Sequence, residues 1–302
     1  MTCFDDRVTN WEHGLPPAAN RRIEHQLSSR TSSSLFSAPA AASARAASFE
    51  SVGEVFGCSV VDISFNGGGC GWWSTASLGM RGQSPVLVSG RGSYASFTPY
   101  VRMTEGAWET AVDRALTEAA YLGAHGVVGV SVTRRRLDVS VWEYTAVGTA
   151  VRSTDPILLP YPTRKGAVWS TSLDAEHTAS AILAGFRPER HLMALSIATK
   201  HEDWLMQQQT TMFAGNVEIE GMTAVLQAAR QDVRRRITDK ALRDGPGQLI
   251  VTDMWVQEFD TVCSQEEKDV HAEATIVGTT LVPLPATHRR APASALTVIP
   301  LS

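Results

Sequence analysis

The stretch that decides the fold is residues 104–152, TEGAWETAVDRALTEAAYLGAHGVVGVSVTRRRLDVSVWEYTAVGTAVR. From 107 to 122, apolar residues recur every three or four positions, which predicts a helix with one apolar side. Thr104 is a residue type that caps helix starts, and Gly123 is typical of the residue that ends a helix. The stretch therefore opens with a bounded helix.

Two segments rich in β-branched residues follow this helix. Residues 126–133 are dominated by valine, and residues 139–151 place valine, threonine and Glu143 on one face of a strand. The residues between them, 136–138, are compatible with a tight antiparallel turn. An earlier β-rich run at 52–65 supplies a first strand, so the sequence predicts a β-α-β-β unit.

The same order of elements recurs in the second half of the chain. A helical stripe of apolar residues runs through 222–241, and strands are predicted at 249–256 and 270–282. The closing strands align without a gap, because 276–281 matches 146–151 at an offset of 130 residues, which is 276 − 146. An internal duplication therefore explains the chain better than one large domain does.

Three runs inside the first copy resemble a known family. Residues 122–130, LGAHGVVGV, and 144–151, YTAVGTAV, look like the signature of the YbjQ-like family, often labelled "putative heavy-metal-binding domain". The run 52–60, VGEVFGCSV, looks like the first strand of that family. The resemblance covers residues 49–152 and, in degenerate form, 186–284. It implies small β-α-β-β subunits that assemble into closed rings, usually pentamers.

The predicted fold class is therefore α+β, with two tandem β-α-β-β (YbjQ-like or dodecin-like) domains. Each is a small antiparallel sheet with one main helix. Ala-rich residues 37–48 and their counterpart 174–185 predict a short helix at the start of each copy. The chain divides into a flexible N-terminal segment, a first YbjQ-like domain, a Pro-rich linker, a degenerate second YbjQ-like domain and a flexible C-terminal tail, at 1–34, 35–153, 154–171, 172–284 and 285–302.

Composition argues against several classes of function. The formal net charge is −4 and charged residues are 19% of the chain, so no strong field attracts nucleic acid or an anionic membrane. The short basic runs 134–136 and 234–236 are interpreted as solvated faces. No run reaches the roughly 18 apolar residues that a bilayer requires. Four dispersed cysteines without a C-x-x-C pair suit a reducing compartment, so we expect a cytoplasmic protein.

The family label makes a site for a divalent metal ion one hypothesis. His271 and Glu273 alternate so that both face one side of a strand, and Cys263 lies on the connection before it. Cysteine, histidine and carboxylate side chains bind zinc or copper when they converge. His271 and Cys263 have no equivalents in the first copy, so the alternative is an ordinary solvated strand face.

Two further sets of residues are candidates for an interface or a cation contact. Glu143 and Glu273 occupy matching places in the two copies, where a carboxylate either binds a cation or forms an ion pair across a subunit interface. Trp72 and Trp73 follow the glycine-rich run 66–71, and two adjacent indoles are costly to expose. They are covered by their own domain or a subunit contact, or they contact a ligand.

No catalytic motif is recognisable in the sequence. It has neither a G-x-S-x-G elbow nor a cysteine with a supporting histidine motif. The leading interpretation is a non-enzymatic homo-oligomer, arranged as a ring, that acts as a scaffold or binding protein. The alternatives are a metal-ion sensor or store, and a small-molecule enzyme whose site lies between the two copies and includes Glu143 and the loop 67–73.

Overall fold

The computed structural model describes residues 11, 14–29, 33–64, 84–90, 97–155, 168–243, 247–262 and 268–284. Three of the candidate site residues, Trp72, Trp73 and Cys263, lie outside these ranges, as does the tail 285–302. The described residues form a mixed α+β fold with six helices and two four-stranded sheets. No helix within these ranges is both long and apolar enough to span a membrane.

Helices and strands are interspersed along the chain. They are α1 (Pro17–Ser28), α2 (Ala38–Ala46), β1 (Phe49–Asp62), β2 (Leu87–Val88), α3 (Thr98–Tyr121), β3 (Gly126–Arg136), β4 (Val141–Ser153), β5 (Trp169–Ser170), α4 (Ala175–Leu183), β6 (Phe186–His201), α5 (Trp204–Thr210), α6 (Glu220–Arg243), β7 (Gln248–Val262) and β8 (Lys268–Pro283).

The two sheets have the strand orders β1-β4-β3-β5 and β2-β6-β8-β7. Their long strands pair antiparallel, whereas the short strand β5 joins β3 in parallel. Each sheet is accompanied by one helix of 24 residues, α3 for the first and α6 for the second. In both cases a long strand, β1 or β6, comes before the helix with one short element between them, and a hairpin of two more strands follows the helix.

Helix α3 starts earlier than the sequence predicts. It begins at Thr98 with Pro99 in its first turn, so the expected cap, Thr104, lies inside the helix and is fully buried. Val101 is also buried, and this packing outweighs the weak helix propensity of the preceding residues. At the other end Gly123 has φ +72°, so the prediction that it closes the helix is confirmed.

Residues 17–28 form helix α1, where the sequence suggested a flexible segment. Ala19 and Ile23 on this helix are buried. Arg22 donates from Nε and Nη2 to the two carboxylate oxygens of Glu118 on α3, each at 2.7 Å. These contacts are hard to predict from the sequence. Two buried apolar residues and one bidentate ion pair do not produce a periodic pattern of apolar residues.

The short helix predicted at the start of each copy is present, as α2 in the first copy and α4 in the second. Ser37 caps α2 by accepting a hydrogen bond from the backbone of Ala40, and Asp174 caps α4 in the same way through His177. Strand β7 continues to Val262, beyond the predicted end at 256. The last residues of the predicted linker 154–171 contribute β5.

Helix α3 lies between the two sheets. On one side it packs so closely on β1 that a Cβ added to Gly57 would stand 1.9 Å from the carbonyl oxygen of Ala111. On its other side, Met193 and Leu195 of β6 belong to the same core cluster as α3. The alternate β6 residue Ala194 packs with α6 in a second cluster. The layers are therefore first sheet, α3, second sheet and α6.

Charged side chains bind the backbone at the edges of β1 and β6. These edges would otherwise offer free groups to a strand of another molecule. The contacts are Phe56 N–H to Glu118 (3.0 Å), Arg114 to the carbonyl of Cys58, Leu195 N–H to Glu105 (3.0 Å), and Lys240 to the carbonyl of Met193 (2.8 Å).

The face of the first sheet that points away from α3 is open. Phe56 is 38% exposed on this face and Val60 is 53% exposed. Cys58 lies between them and is half-buried. The corresponding face of the second sheet is covered by α3.

Candidate functional site

A pocket of about 330 Å³ lies between the two sheets, beside helix α3. Elements of both halves of the chain line it. The first half contributes residues of α3, β3 and β4, namely Thr104, Trp108, Val132, Arg134, Trp142 and Tyr144. The second half contributes residues of β6, β7 and β8, namely Met193, Leu195, Trp255, Gln257, Glu273 and Thr275.

Strand pairing sets the positions of these side chains. Arg134 lies opposite Tyr144 in the β3–β4 pair, and Gln257 lies opposite Glu273 in the β7–β8 pair. Paired residues point to the same face of a sheet, and residues two positions apart share that face. Each hairpin therefore presents a small patch of side chains to the pocket.

One ion pair joins the two walls. Arg134 Nη1 lies 3.0 Å from Glu273 Oε1, and the same oxygen accepts a hydrogen bond of 2.9 Å from Gln257 Nε2. Tyr100 donates its hydroxyl proton to Glu273 Oε2 at 2.8 Å and accepts a hydrogen bond from Arg134. Glu273 is 2% exposed, so the interpretation of this position as a solvated strand face is wrong. Of the basic run 134–136, Arg135 and Arg136 are exposed as expected, whereas the Arg134 side chain is 19% exposed and engaged in this network.

The phenol of Tyr100 acts as a donor in this network. Burial, together with the neighbouring Glu273 carboxylate, raises the pKa of Tyr100 well above its ordinary value. The hydroxyl therefore keeps its proton across the neutral range. Both carboxylate oxygens of Glu273 accept hydrogen bonds, and the Arg134 guanidinium balances its charge.

Indole rings form much of the pocket surface. The Trp142 ring lies 4.0 Å from the Arg134 guanidinium carbon, a cation–π contact that fixes both groups. The ring centroids of Trp108 and Trp255 are 6.5 Å apart, with 31° between the ring planes. Trp255 is 38% exposed. The pocket thus combines aromatic walls with a few fixed polar groups.

His191 holds Trp108 in place from behind. The Trp108 indole N–H donates to His191 Nε2 at 3.1 Å. Burial, and after it the charge of the neighbouring Arg190, lower the pKa of His191 to about 4. The imidazole is therefore neutral at physiological pH, as an acceptor of this hydrogen bond must be.

His271 is buried next to the pocket, not on a solvated face. Its Nδ1 lies 2.9 Å from the Thr199 hydroxyl and its Nε2 lies 3.0 Å from the Thr261 hydroxyl. The rings of Phe97 and Phe259 flank it with centroids at 4.9 and 4.7 Å. Burial lowers the pKa of His271 to about 4. Both ring nitrogens are thus engaged with hydroxyl groups.

Glu143 stands on the open face of the first sheet. Its carboxylate lies 2.7 Å from Arg135 and 3.6 Å from the Cys58 thiol. Burial and the nearby Glu143 carboxylate raise the pKa of Cys58. Within the described ranges, no group of three or more His, Cys, Asp or Glu side chains is arranged to hold a metal ion.

The sequence singles out Glu273 as a metal ligand or as an interface or cation contact, but it does not indicate the residues that Glu273 contacts in this pocket. Trp142 precedes Glu143 and therefore points to the opposite face, together with Tyr144. This alternation was a usable signal for an aromatic patch. Arg134 and Trp255 carried no such signal, because Arg134 contacts Glu273 and Trp255 contacts Trp108 across the two halves of the chain.

Comparison with known families supports one part of the sequence analysis. Residues 88–154 match the YbjQ family model, which is described as "Putative heavy-metal-binding". The chain therefore contains a YbjQ domain, and the matched range includes α3, β3 and β4, which form one wall of the pocket. A search of curated proteins finds no match.

Replacing Glu273 by glutamine is expected to lower the free energy of unfolding by about 2 kcal/mol. The change leaves the largely buried Arg134 cation without its carboxylate, and breaking one side of such a pair is costly. Urea denaturation followed by circular dichroism measures the loss. The matched control is Glu143→Gln at the equivalent place on the open face, which should cost less than about 0.5 kcal/mol. Equal effects of the two substitutions would contradict this role for the ion pair.

Proposed function

We propose that this chain is a non-enzymatic binding protein that holds a small molecule in the pocket between its two sheets. The pocket itself carries the proposal. Its volume of about 330 Å³ falls within the range of roughly 300–1,000 Å³ typical of small-molecule sites, and its walls are mainly apolar and aromatic. Arg134 and Glu273 are paired with each other, which suits orientation of a ligand better than transfer of a proton.

The chain is built from two tandem YbjQ-like units, 35–153 and 172–284, joined by the linker 154–171. Matching strand registers support this proposal. The irregularity between Ser51 and Gly53 in β1 recurs between Pro188 and Arg190 in β6, and both residues of the pair are displaced by 137 positions, 188 − 51 and 190 − 53. Gly148 and Gly278 hold equivalent places in β4 and β8. The pocket then lies at the junction of two related units.

A second role, scaffolding by a homo-oligomeric ring, rests on the open face of the first sheet. The equivalent face of the second sheet is buried by α3, whereas Phe56 and Val60 on the first sheet remain exposed. A second copy of the chain that covers this face would bury these side chains. Each copy would then contribute one pocket to the assembly.

Filling the pocket is expected to abolish ligand binding without unfolding the protein. Thr275 lines the pocket, so Thr275→Phe places a ring in the space that the ligand would use. A mixed library of small fragments is screened by ligand-observed NMR, and hits with a Kd near or below about 1 mM are expected for the unaltered protein. These hits should be lost in Thr275→Phe.

The matched control for this substitution is Thr145→Phe. Thr145 holds the equivalent position on the open face of the first sheet and should keep every hit. Circular dichroism checks that both variants are folded, and Trp255→Ala replaces Thr275→Phe if the latter does not fold. A screen without hits, or hits that survive both pocket substitutions, would refute the proposed binding site.

A metal-ion sensor or store is the alternative, and the description of the matched family favours it. Its ligands would be Cys263, His271 and Glu273 around a divalent ion. His271 is neutral, the form that binds metal, but it would have to exchange its contacts with Thr199 and Thr261 for the ion. Glu273 would likewise have to leave Arg134.

Native mass spectrometry before and after chelation, with elemental analysis of the same sample, separates these possibilities. We expect a discrete homo-oligomer whose mass and metal content do not change with chelator. Stoichiometric metal that is lost on chelation and absent from His271→Ala would instead establish the metal site. A monomer at micromolar concentration would contradict the ring.

A further inference from the structure

We infer that the pocket takes a planar, uncharged aromatic ligand of about two fused rings, which lies against the indoles of Trp108 and Trp255. This inference rests on the proposed function, since it specifies the chemical class of the ligand that the same pocket would bind. Three properties of the pocket support it: its size, the arrangement of its aromatic side chains and the balance of its charges.

The size of the pocket limits the ligand. A cavity of roughly 150 Å³ holds one benzene molecule. The volume of about 330 Å³ is about twice that, which suits two fused rings and is small for a nucleotide with its sugar and phosphate. The pocket is near the lower end of the usual range for small-molecule sites.

The aromatic side chains favour a flat ligand. Trp108 cannot rotate freely because its N–H is held by His191, and it therefore offers a fixed surface. The centroid of Trp255 lies 6.5 Å from that of Trp108 with 31° between the ring planes, and both residues line the pocket, so the two indoles form adjoining parts of one aromatic wall against which a flat ligand can lie. Trp255 is 38% exposed, so part of its ring is accessible to a ligand.

The charges in the pocket favour a neutral ligand. Arg134 and Glu273 are the charged residues among those that line it, and each neutralises the other. An anionic ligand would compete with Glu273 for Arg134, and a cationic ligand would compete with Arg134 for Glu273. Either would leave one buried partner without its counter-charge, which is costly. A neutral ligand leaves the ion pair intact.

Gln257 adds a requirement for hydrogen bonding. Gln257 lines the pocket and its Nε2 donates to Glu273, while the oxygen of the same side-chain amide is by its chemistry a hydrogen-bond acceptor. A ligand with an N–H group in its ring plane would donate to such an acceptor. A bicyclic lactam has this group together with a planar, uncharged ring system.

Three related probes test the inference directly. They are 2-quinolinone, its fully saturated counterpart decahydroquinolin-2-one, and the anionic 2-oxo-1,2-dihydroquinoline-4-carboxylate. Their affinities for the full chain are measured by isothermal titration calorimetry and ligand-observed NMR. We expect 2-quinolinone to bind at least tenfold more tightly than either of the others, since only it is both flat and neutral.

Substitution then locates the binding. Trp255→Ala should weaken 2-quinolinone about tenfold, whereas Trp204→Ala should leave its affinity unchanged because Trp204 is 73% exposed on α5 and does not line the pocket. The inference is overturned if the saturated or the anionic probe binds as tightly as 2-quinolinone, or if Trp255→Ala has no effect. In that case fragment hits that Thr275→Phe abolishes would still support the proposed function, whereas an absence of all binding would overturn both.

Discussion

Replacing Gly57 by alanine is expected to destabilise the protein by about 3 kcal/mol, the upper part of the usual range for overpacked cores. The added Cβ would lie 1.9 Å from the carbonyl oxygen of Ala111 and 2.7 Å from the backbone nitrogen of Ala115. Both atoms belong to the backbone of α3 and cannot move aside as a flexible side chain would. The whole helix would have to shift away from β1.

Chemical denaturation monitored by circular dichroism measures this effect. The control is Cys58→Ala, the next residue along β1, which points to the open face and should cost less than about 1 kcal/mol. A Gly57→Ala protein as stable as the Cys58→Ala protein would show that α3 does not pack against β1 as closely as described. The position in β6 that is equivalent to Gly57 is Ala194, which lies beneath α6. The very close approach of helix to strand is therefore particular to the first sheet.

Lowering the pH from about 6.5 to about 4 should reduce the free energy of unfolding by about 3 kcal/mol through His191 alone. The pKa of His191 is lowered to about 4 in the folded protein, against an ordinary value of 6.5. Between these two values the unfolded chain binds a proton that the folded chain does not. Acid therefore favours unfolding by about 1.4 kcal/mol for each pH unit in this window, and the effect levels off below the folded pKa.

The comparison of urea denaturation at pH 7 and pH 4.5 in the unaltered protein and in His191→Gln isolates this contribution. Glutamine can still accept a hydrogen bond from the Trp108 N–H but does not titrate. The stability of the His191→Gln protein should therefore depend less on pH. His271 adds a similar dependence, because burial also lowers its pKa to about 4. An identical pH dependence in the two proteins would contradict the buried, neutral state of His191.

The sequence predicts the main elements well because their signals are local. Alternation of β-branched residues locates β3, β4 and β8, and the apolar stripe locates α6, since these patterns need no knowledge of distant residues. The start of α3 and the presence of α1 were missed for the opposite reason. Val101 and Ile23 become buried only through contacts with other parts of the fold.

The candidate site was less predictable than the fold. Glu273 is a candidate from the sequence because it matches Glu143 in the first copy, yet the structure places the two carboxylates in different surroundings. Glu273 meets Arg134 from the other half of the chain, whereas Glu143 meets its own hairpin neighbour Arg135. Sequence similarity between the two copies shows which positions are equivalent. It does not show which of two equivalent residues becomes buried when the copies pack together.

The position of α3 between the sheets makes the folding of each half of the chain depend on the other half. Its one flank completes the core of the first sheet, and its other flank shields Met193 and Leu195 of the second. A truncated chain that begins after 154 would expose that apolar surface and would be prone to aggregate. The halves are thus expected to unfold in a single cooperative step. Neither half is expected to fold on its own unless its exposed apolar residues are replaced.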